Sequence, residues 1–376
     1  MTRTLLARLL SLLKPRIAAL LCLTGASGAL AAGGLGPVAF AGFVLAGLCM
    51  AGGAAALNCW YDRDVDRRME RTADRPLPRG ELSPRVALGF ATAMLVAGTA
   101  VGLLAVSPTS VAYMWLGVAA YVGLYTIALK RRHWVATVLG GSAGSFPVLA
   151  GWSAVRPLEP AALVAAALVF VWTPAHAWAL AQVYRDDFEA AGIPKLPVVA
   201  PDAVVRRRAG ASALATVAVA ALLLPLAGVA YATAFVGAVP AYLLAYRQYH
   251  RSGSDATAVR AFFTSNLFLT VLFAAWGVDG VVDGLTSGTA VLAPVTFWLF
   301  VRLWTARPSL RGVSGAVGGE WRSVRTWLPA PDESPAEATP TPGDAASASG
   351  DATPTGEPAG RGESAPAESV GDPGDD

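Results

Sequence analysis

Asn58, Asp62 and Asp66 recur at intervals of four in the stretch NCWYDRDVDRRMERTADRPL, residues 58–77. On a helix that spacing stacks an amide and two carboxylates along one face, each about 6 Å above the last. Such a set suits a hard divalent cation that takes oxygen ligands. Mg²⁺ in particular is held by one or two carboxylates together with substrate phosphates rather than by a complete protein cage. Asp64 points to the other side of the same helix. Arg67, Arg71 and Arg75 follow, again four apart, where guanidinium groups can clamp phosphate oxygens by charge-assisted hydrogen bonds. Two acids followed by bases on one helical stripe describe a cradle for a metal–diphosphate pair. The plainer alternative is a solvated helix whose Asp–Arg pairs support each other and whose arginines serve only to fix membrane orientation.

A second acidic group, Asp186, Asp187 and Glu189, lies in YRDDFEAAGIPKLP, residues 184–197. Gly192 and Pro194 break the helix just after it. Its alternative reading is an acidic helix end neutralised by Arg185 and Lys195. Acids are nevertheless unusual in a stretch that is otherwise basic. A third group, YTIALKRR at 125–132, brings Lys130 and Arg131 to another helix end, where they can face the same diphosphate or simply fix topology.

These groups need elements to hold them, and the elements are membrane spans. The 376 residues are 54% hydrophobic and only 15% charged, with mean hydropathy +0.49, whereas soluble domains carry about 25% charge. Apolar runs at 17–34, 37–57, 86–106, 110–129, 135–154, 160–182, 211–231, 233–249 and 260–280 give nine expected spans. The 233–249 run is short and tightly joined to its predecessor, as in a membrane hairpin, and a weaker tenth run covers 288–304. Basic residues gather before the first span and after the second, fourth, sixth and eighth. The N-terminus and the three charged groups are therefore expected in the cytoplasm. Residues 1–14 read as an interfacial amphipathic lead-in, 15–285 as the membrane domain, and 286–329 as an extra span with a basic juxtamembrane segment. Residues 330–376, rich in Pro, Gly, Ala, Ser and acids, read as a disordered tail. Cys22, Cys49 and Cys59 lack metal-ligand spacing and read as small hydrophobes. No nucleic acid partner is expected.

At these residues the chain resembles the UbiA superfamily of intramembrane prenyltransferases, and within it the heme-farnesylating branch. The first stretch reads as N-x-x-x-D-x-x-x-D followed by R-T-x-x-R-P-L. WTPAHAWALA (172–181), YRDDFEAAGIPKLPVV (184–199), LLKPRI (12–17), YTIALKRR and GGSAGSFPVLAGW (140–152) also fit. The match runs over roughly residues 12–280. Lys195 stands where the family usually has an apolar residue, and His133 and Ala136 depart from a T-x-x-N pattern.

The resemblance implies an all-α bundle of nine spans around a cavity that is capped by the cytoplasmic loops. It further implies transfer of a farnesyl group from farnesyl diphosphate to a vinyl group of protoheme IX, with addition of water. Mg²⁺ would be held by Asn58, Asp62, Asp66 and Asp187. Arg67, Arg71, Arg75, Lys130, Arg131, Tyr184 and Lys195 would bind the substrates. His176 lies eleven residues before Asp187, on the same face about 16 Å deeper if the helix continues. It would contact the porphyrin, against the plainer reading of a polar residue bonded between helices. Trp172 and Trp178 are candidate cavity walls, and His133 and His250 read as helix-end residues. A heme A synthase or terminal oxidase would be the downstream partner, and the cell membrane the location. The alternative activity is prenylation of a quinone precursor or another aromatic or lipid acceptor. A transporter or scaffold would not need the Asn/Asp/Asp stripe.

Overall fold

The structure, a computed structural model, describes residues 4–281. Among them every regular element is helical. The order is α1 (Leu5–Leu12), α2 (Pro15–Ala31), α3 (Pro37–Asp66), α4 (Glu70–Ala73), α5 (Pro84–Ala105), α6 (Pro108–Val118), α7 (Ala136–Gly140), α8 (Ser142–Ser153), α9 (Pro160–Val183), α10 (Arg185–Ala190), α11 (Leu196–Val199), α12 (Asp202–Leu222), α13 (Val229–Ser252) and α14 (Asp255–Val281). A π-helix, Ala119–Leu129, continues α6. Pro15, Pro37, Pro84, Pro108 and Pro160 each open a helix, where the missing N–H costs nothing and the fixed φ is already helical.

Among the described residues, seven helices are long and apolar enough to cross a membrane: α3, α5, α6 with its π extension, α9, α12, α13 and α14. The 17-residue α2 and the α7–α8 pair fill the remaining two expected positions. The expected 135–154 span is therefore not one helix. It breaks at Gly141, in a glycine-rich run with little helix propensity. The expected 211–231 span starts nine residues too late, because α12 carries Arg206, Arg207 and Arg208 in its own first turns. The expected short hairpin helix at 233–249 is in fact the 24-residue α13. Its N-terminus is capped by the Asp279 carboxylate of α14, which accepts from the N–H groups of Gly228, Ala230 and Tyr231 at 2.9 Å each. The weak tenth span at 288–304, the 286–329 segment and the 330–376 tail lie outside the described residues.

The helices close into a ring. α3 packs on α5 and α2, α8 on α2, α6 and α9, α9 on α12, and α14 on α13, α9 and α2. Lipid tails are as apolar as the helix faces, so such contacts depend on close backbone approach. Gly151 of α8 lies against α2 so tightly that a Cβ there would sit 1.8 Å from the Gly25 carbonyl oxygen. Only glycine fits. The amphipathic α1 buries Leu12 against α3 and α5 while Leu5, Leu6 and Leu10 stay exposed, and Arg8 ties it to Glu81 at 3.6 Å.

Candidate active site

The 30-residue α3 rises about 45 Å, more than a bilayer core needs, so its last turns project beyond the apolar layer. Those turns carry Asn58, Asp62 and Asp66, all at most 4% exposed. Buried carboxylates require partners, and each has them. Asp62 Oδ2 accepts from Lys130 Nζ at 2.5 Å and from Asn58 Nδ2 at 2.8 Å, and Asp62 Oδ1 accepts from Arg131 Nη2 at 3.1 Å. Asp66 Oδ2 accepts from Arg75 Nη1 at 2.9 Å. Lys14 Nζ donates to Asn58 Oδ1 at 2.8 Å, and Asn58 Nδ2 also reaches Thr126 Oγ1 at 3.1 Å. Lys14, at the joint between α1 and α2, has φ 47°, the only positive φ of a non-glycine residue among those described. Strain of that kind persists where surrounding contacts over-determine it.

The π-helix is what turns the facing wall towards α3. Pairing of each residue with the fifth before it winds about four and a half residues per turn, or about 80° per residue. Tyr121, Tyr125, Thr126 and Lys130 then fall within an arc of about 80°, where an α-helix would spread them over about 180°. The four indeed meet neighbouring polar groups: Tyr121 lies 3.4 Å from Lys14 Nζ, Tyr125 takes Lys195 Nζ at 3.0 Å, and Thr126 and Lys130 take Asn58 and Asp62.

The arginines do not continue the helical stripe, because α3 ends at Asp66. Arg67 is exposed and donates to the Pro78 carbonyl at 2.9 Å, so it stands apart from the carboxylates. Arg75 returns to Asp66 by a chain reversal instead. Arg71, in the short α4, lies over the rings of Tyr184 and Phe188 at 5.2 and 5.1 Å, with Nε 3.7 Å from Asp187. Burial, and then Arg75, draw its pKa below the usual arginine value, against the pull of Asp66 and Asp187. Asp187 spends its oxygens on the backbone N–H groups of Glu70 at 2.8 Å and Arg71 at 3.3 Å, so it clasps the first loop. Asp186 and Glu189 are exposed. Gly192, at φ 67°, ends α10 in the left-handed conformation its sequence position suggested. Lys195 is 7% exposed, with Tyr125 and Thr137 hydroxyls as its hydrogen-bond partners and the Tyr125 and Phe188 rings beneath its charge.

Below the cluster lies an apolar cavity of about 280 Å³ between α2, α3, α6 and α7–α8. Lys14 and Tyr121 line its polar end. His176 belongs elsewhere. It stacks between Trp172 and Phe262 at 4.2 and 4.4 Å, with Nδ1 2.8 Å from Ser265 Oγ, at the α9–α14 contact. The Ser265 hydroxyl donates to the Phe262 carbonyl. That leaves His176 Nδ1 as the donor and Nε2 with its lone pair. The eleven-residue alignment of His176 with Asp187 fails because α9 ends at Val183 and a new helix starts at Arg185, after the non-helical Tyr184.

No group of three or more His, Cys, Asp or Glu side chains forms a metal cluster among the described residues. Two buried carboxylates one turn apart, with an amide oxygen beside them, still match a hard cation that completes its shell with phosphate oxygens. Lys14, Tyr121, Tyr125 and Thr126 were missed as site residues from sequence. The period of five between Tyr121, Thr126 and Arg131 is visible there, but nothing marks it as helical.

A model of the UbiA prenyltransferase family matches residues 18–271. Among curated relatives, the chain is 41% identical over 285 residues to a protoheme IX farnesyltransferase of Thermus thermophilus, covering 73% of this chain and 46% of that one. The chain thus spans about half the length of that relative. It is 43% identical over 246 residues to the protoheme IX farnesyltransferase of Frankia alni, covering 64% and 85%. Its identity to that of a Mycobacterium species is 39% over 295 residues, covering 74% and 92%. Among solved structures, it is similar in fold to a digeranylgeranylglyceryl phosphate synthase, with TM-score 0.61 and 15% identity over 73% of this chain and 98% of that one. A UbiA homolog from Archaeoglobus fulgidus bound to GPP and Mg²⁺ gives TM-score 0.53 and 18% identity over 71% and 99%.

Proposed function

The chain belongs to the UbiA prenyltransferase family, and from that premise we propose that it farnesylates protoheme IX inside the membrane to give heme O. One observation carries the chemistry: two buried carboxylates ringed by Lys14, Lys130, Arg131 and Arg75 stand directly above an apolar cavity. A diphosphate needs that charge and an isoprenoid chain needs that cavity. The choice of heme as acceptor is supported by the relatives near 40% identity, which are protoheme IX farnesyltransferases.

Asp62 and Asp66, with Asn58 in support, would hold Mg²⁺, which when bound neutralises diphosphate charge. Lys130, Arg131 and Arg75 now neutralise those carboxylates, and they can turn to diphosphate oxygens as it arrives. Lys14 fixes Asn58 and stands at the cavity entrance. Arg71 is held ready by Asp187, Tyr184 and Phe188, and Lys195 adds a buried positive charge behind Tyr125. The allylic C–O bond breaks and its electron pair leaves with the diphosphate. The vinyl π pair of the porphyrin then forms the new C–C bond. Water adds to the cation left on the other vinyl carbon and loses a proton, so the product gains a farnesyl group and a hydroxyl. Apolar walls keep water from the allylic cation before that bond forms. His176 Nε2 offers the porphyrin an imidazole ligand, oriented by the bond from Nδ1. The basic loops support a site on the cytoplasmic side. The product implies a downstream heme-modifying enzyme or terminal oxidase as consumer.

The test is to incubate purified protein in lipid nanodiscs with Mg²⁺, farnesyl diphosphate and heme, then weigh the extracted porphyrin. A gain of one farnesyl group plus one hydroxyl is expected. An unchanged porphyrin, with prenyl transfer to a quinone precursor or other aromatic acceptor, would overturn the heme assignment.

A further inference from the structure

The cavity beneath the charged cluster has one polar end and one apolar end. Tyr121 and Lys14 mark the polar end. Along α3, small residues, Gly47, Ala51 and Ala54, leave a trough down the wall. The trough stops at Phe43, fifteen residues before Asn58 on the same helix and therefore about 22 Å deeper along its axis. Phe43 is 3% exposed and packs in one apolar cluster with Met114 and Ala150, which line the same deep end. The ring has nowhere to withdraw. Its tip lies against α2 where a Cβ on Gly25 would meet it at 3.1 Å, and the Pro147 carbonyl oxygen closes the same point at 3.0 Å.

We propose that Phe43, seated on Gly25 and flanked by Met114 and Ala150, is the stop that limits the isoprenoid donor to farnesyl length. This inference rests on the prenyl-diphosphate reading above and extends it to chain length. Volume supports the limit. A dry apolar cavity of about 150 Å³ accepts one benzene, six carbons. A cavity of about 280 Å³ therefore accepts roughly a dozen carbons. With the first few carbons held outside it among the charged groups, a fifteen-carbon chain fills the cavity and a twenty-carbon chain meets the Phe43 ring. Shortening Phe43 opens space at the far end, whereas enlarging Ala51 part-way down the trough removes it. The two changes must act in opposite directions, which a general loss of packing would not produce.

The experiment measures displacement of labelled farnesyl diphosphate by geranyl, farnesyl and geranylgeranyl diphosphates, with Mg²⁺, on the full chain in nanodiscs. Wild type, Phe43→Ala, Phe43→Leu and Ala51→Leu are compared. Wild type is expected to bind farnesyl diphosphate best. Phe43→Ala should raise the affinity for geranylgeranyl relative to farnesyl diphosphate by at least about tenfold, with Phe43→Leu intermediate. Ala51→Leu should move preference towards geranyl diphosphate by a similar factor. If Phe43→Ala does not fold, the Leu variants carry the comparison with the same signs. An unchanged ranking of the three chain lengths in the folded variants would overturn the stop while leaving the donor reading intact. Failure of all three diphosphates to bind wild type would overturn the donor reading, and the stop with it.

Discussion

Asp62 sits 1% exposed with Lys130, Arg131 and Asn58 all donating to its two oxygens. Replacing it by Asn removes the charge that Lys130 answers, and breaking a buried pair costs about 3–5 kcal/mol. Asp62→Asn is therefore expected to lower both melting temperature and turnover, the latter by at least about a hundredfold. The double variant Asp62→Asn with Lys130→Met removes the stranded cation. It should regain most of the melting temperature and none of the turnover, a split read by thermal denaturation beside a transfer assay. Recovery of turnover in the double variant would mean that Asp62 serves only packing. His176 gives a second residue-level expectation. His176→Ala should weaken heme binding at least about tenfold in a Soret titration while farnesyl diphosphate affinity stays put. Unchanged heme affinity would return His176 to an interhelical hydrogen bond with Ser265.

The elements explain why some of the site was legible in the sequence and some was not. Asn58, Asp62 and Asp66 could be read directly, because one regular helix carries them and spacing by four is its signature. The arginines could not, since α3 stops at Asp66 and a chain reversal, not a helical stripe, returns Arg75 to it. Asp187 was visible as an acid, but its backbone partners Glu70 and Arg71 lie more than a hundred residues earlier. Span boundaries failed where apolar composition runs on without a break, as from α12 into α13, whose cap comes from the distant Asp279. The π-helix was invisible for a similar reason: its sequence is plain apolar helix, and the elements it packs against, α3 and α7 among them, lie outside it. Its importance can be measured. Ile127 is 45% exposed, so deleting it removes one residue without removing a buried side chain. The deletion should let the segment relax to an α-helix and turn Lys130 away from Asp62. Turnover is expected to fall by at least about a hundredfold with far-UV circular dichroism unchanged. Turnover near wild type would show that the register of Lys130 is immaterial.

Among the described residues the helices pack as a ring, with the buried charged cluster at the end of α3 and the apolar cavity beneath it. That division of labour explains the fold class being legible from hydropathy alone, since nearly every apolar run found a helix. It also sets the order of events. Charge at the polar end must be balanced before the isoprenoid cation forms, and the walls must exclude water until the acceptor captures it. Diphosphate release in a single turnover from farnesyl diphosphate, with enzyme and heme in excess, tests this most directly. Wild type with Mg²⁺ should release diphosphate in step with farnesylated porphyrin. Chelating the metal should abolish release, restored Mg²⁺ should return it, and Asp62→Asn should slow it at least about a hundredfold. Release at the wild-type rate from Asp62→Asn, or with metal removed, would contradict a metal-assisted diphosphate site at the end of α3.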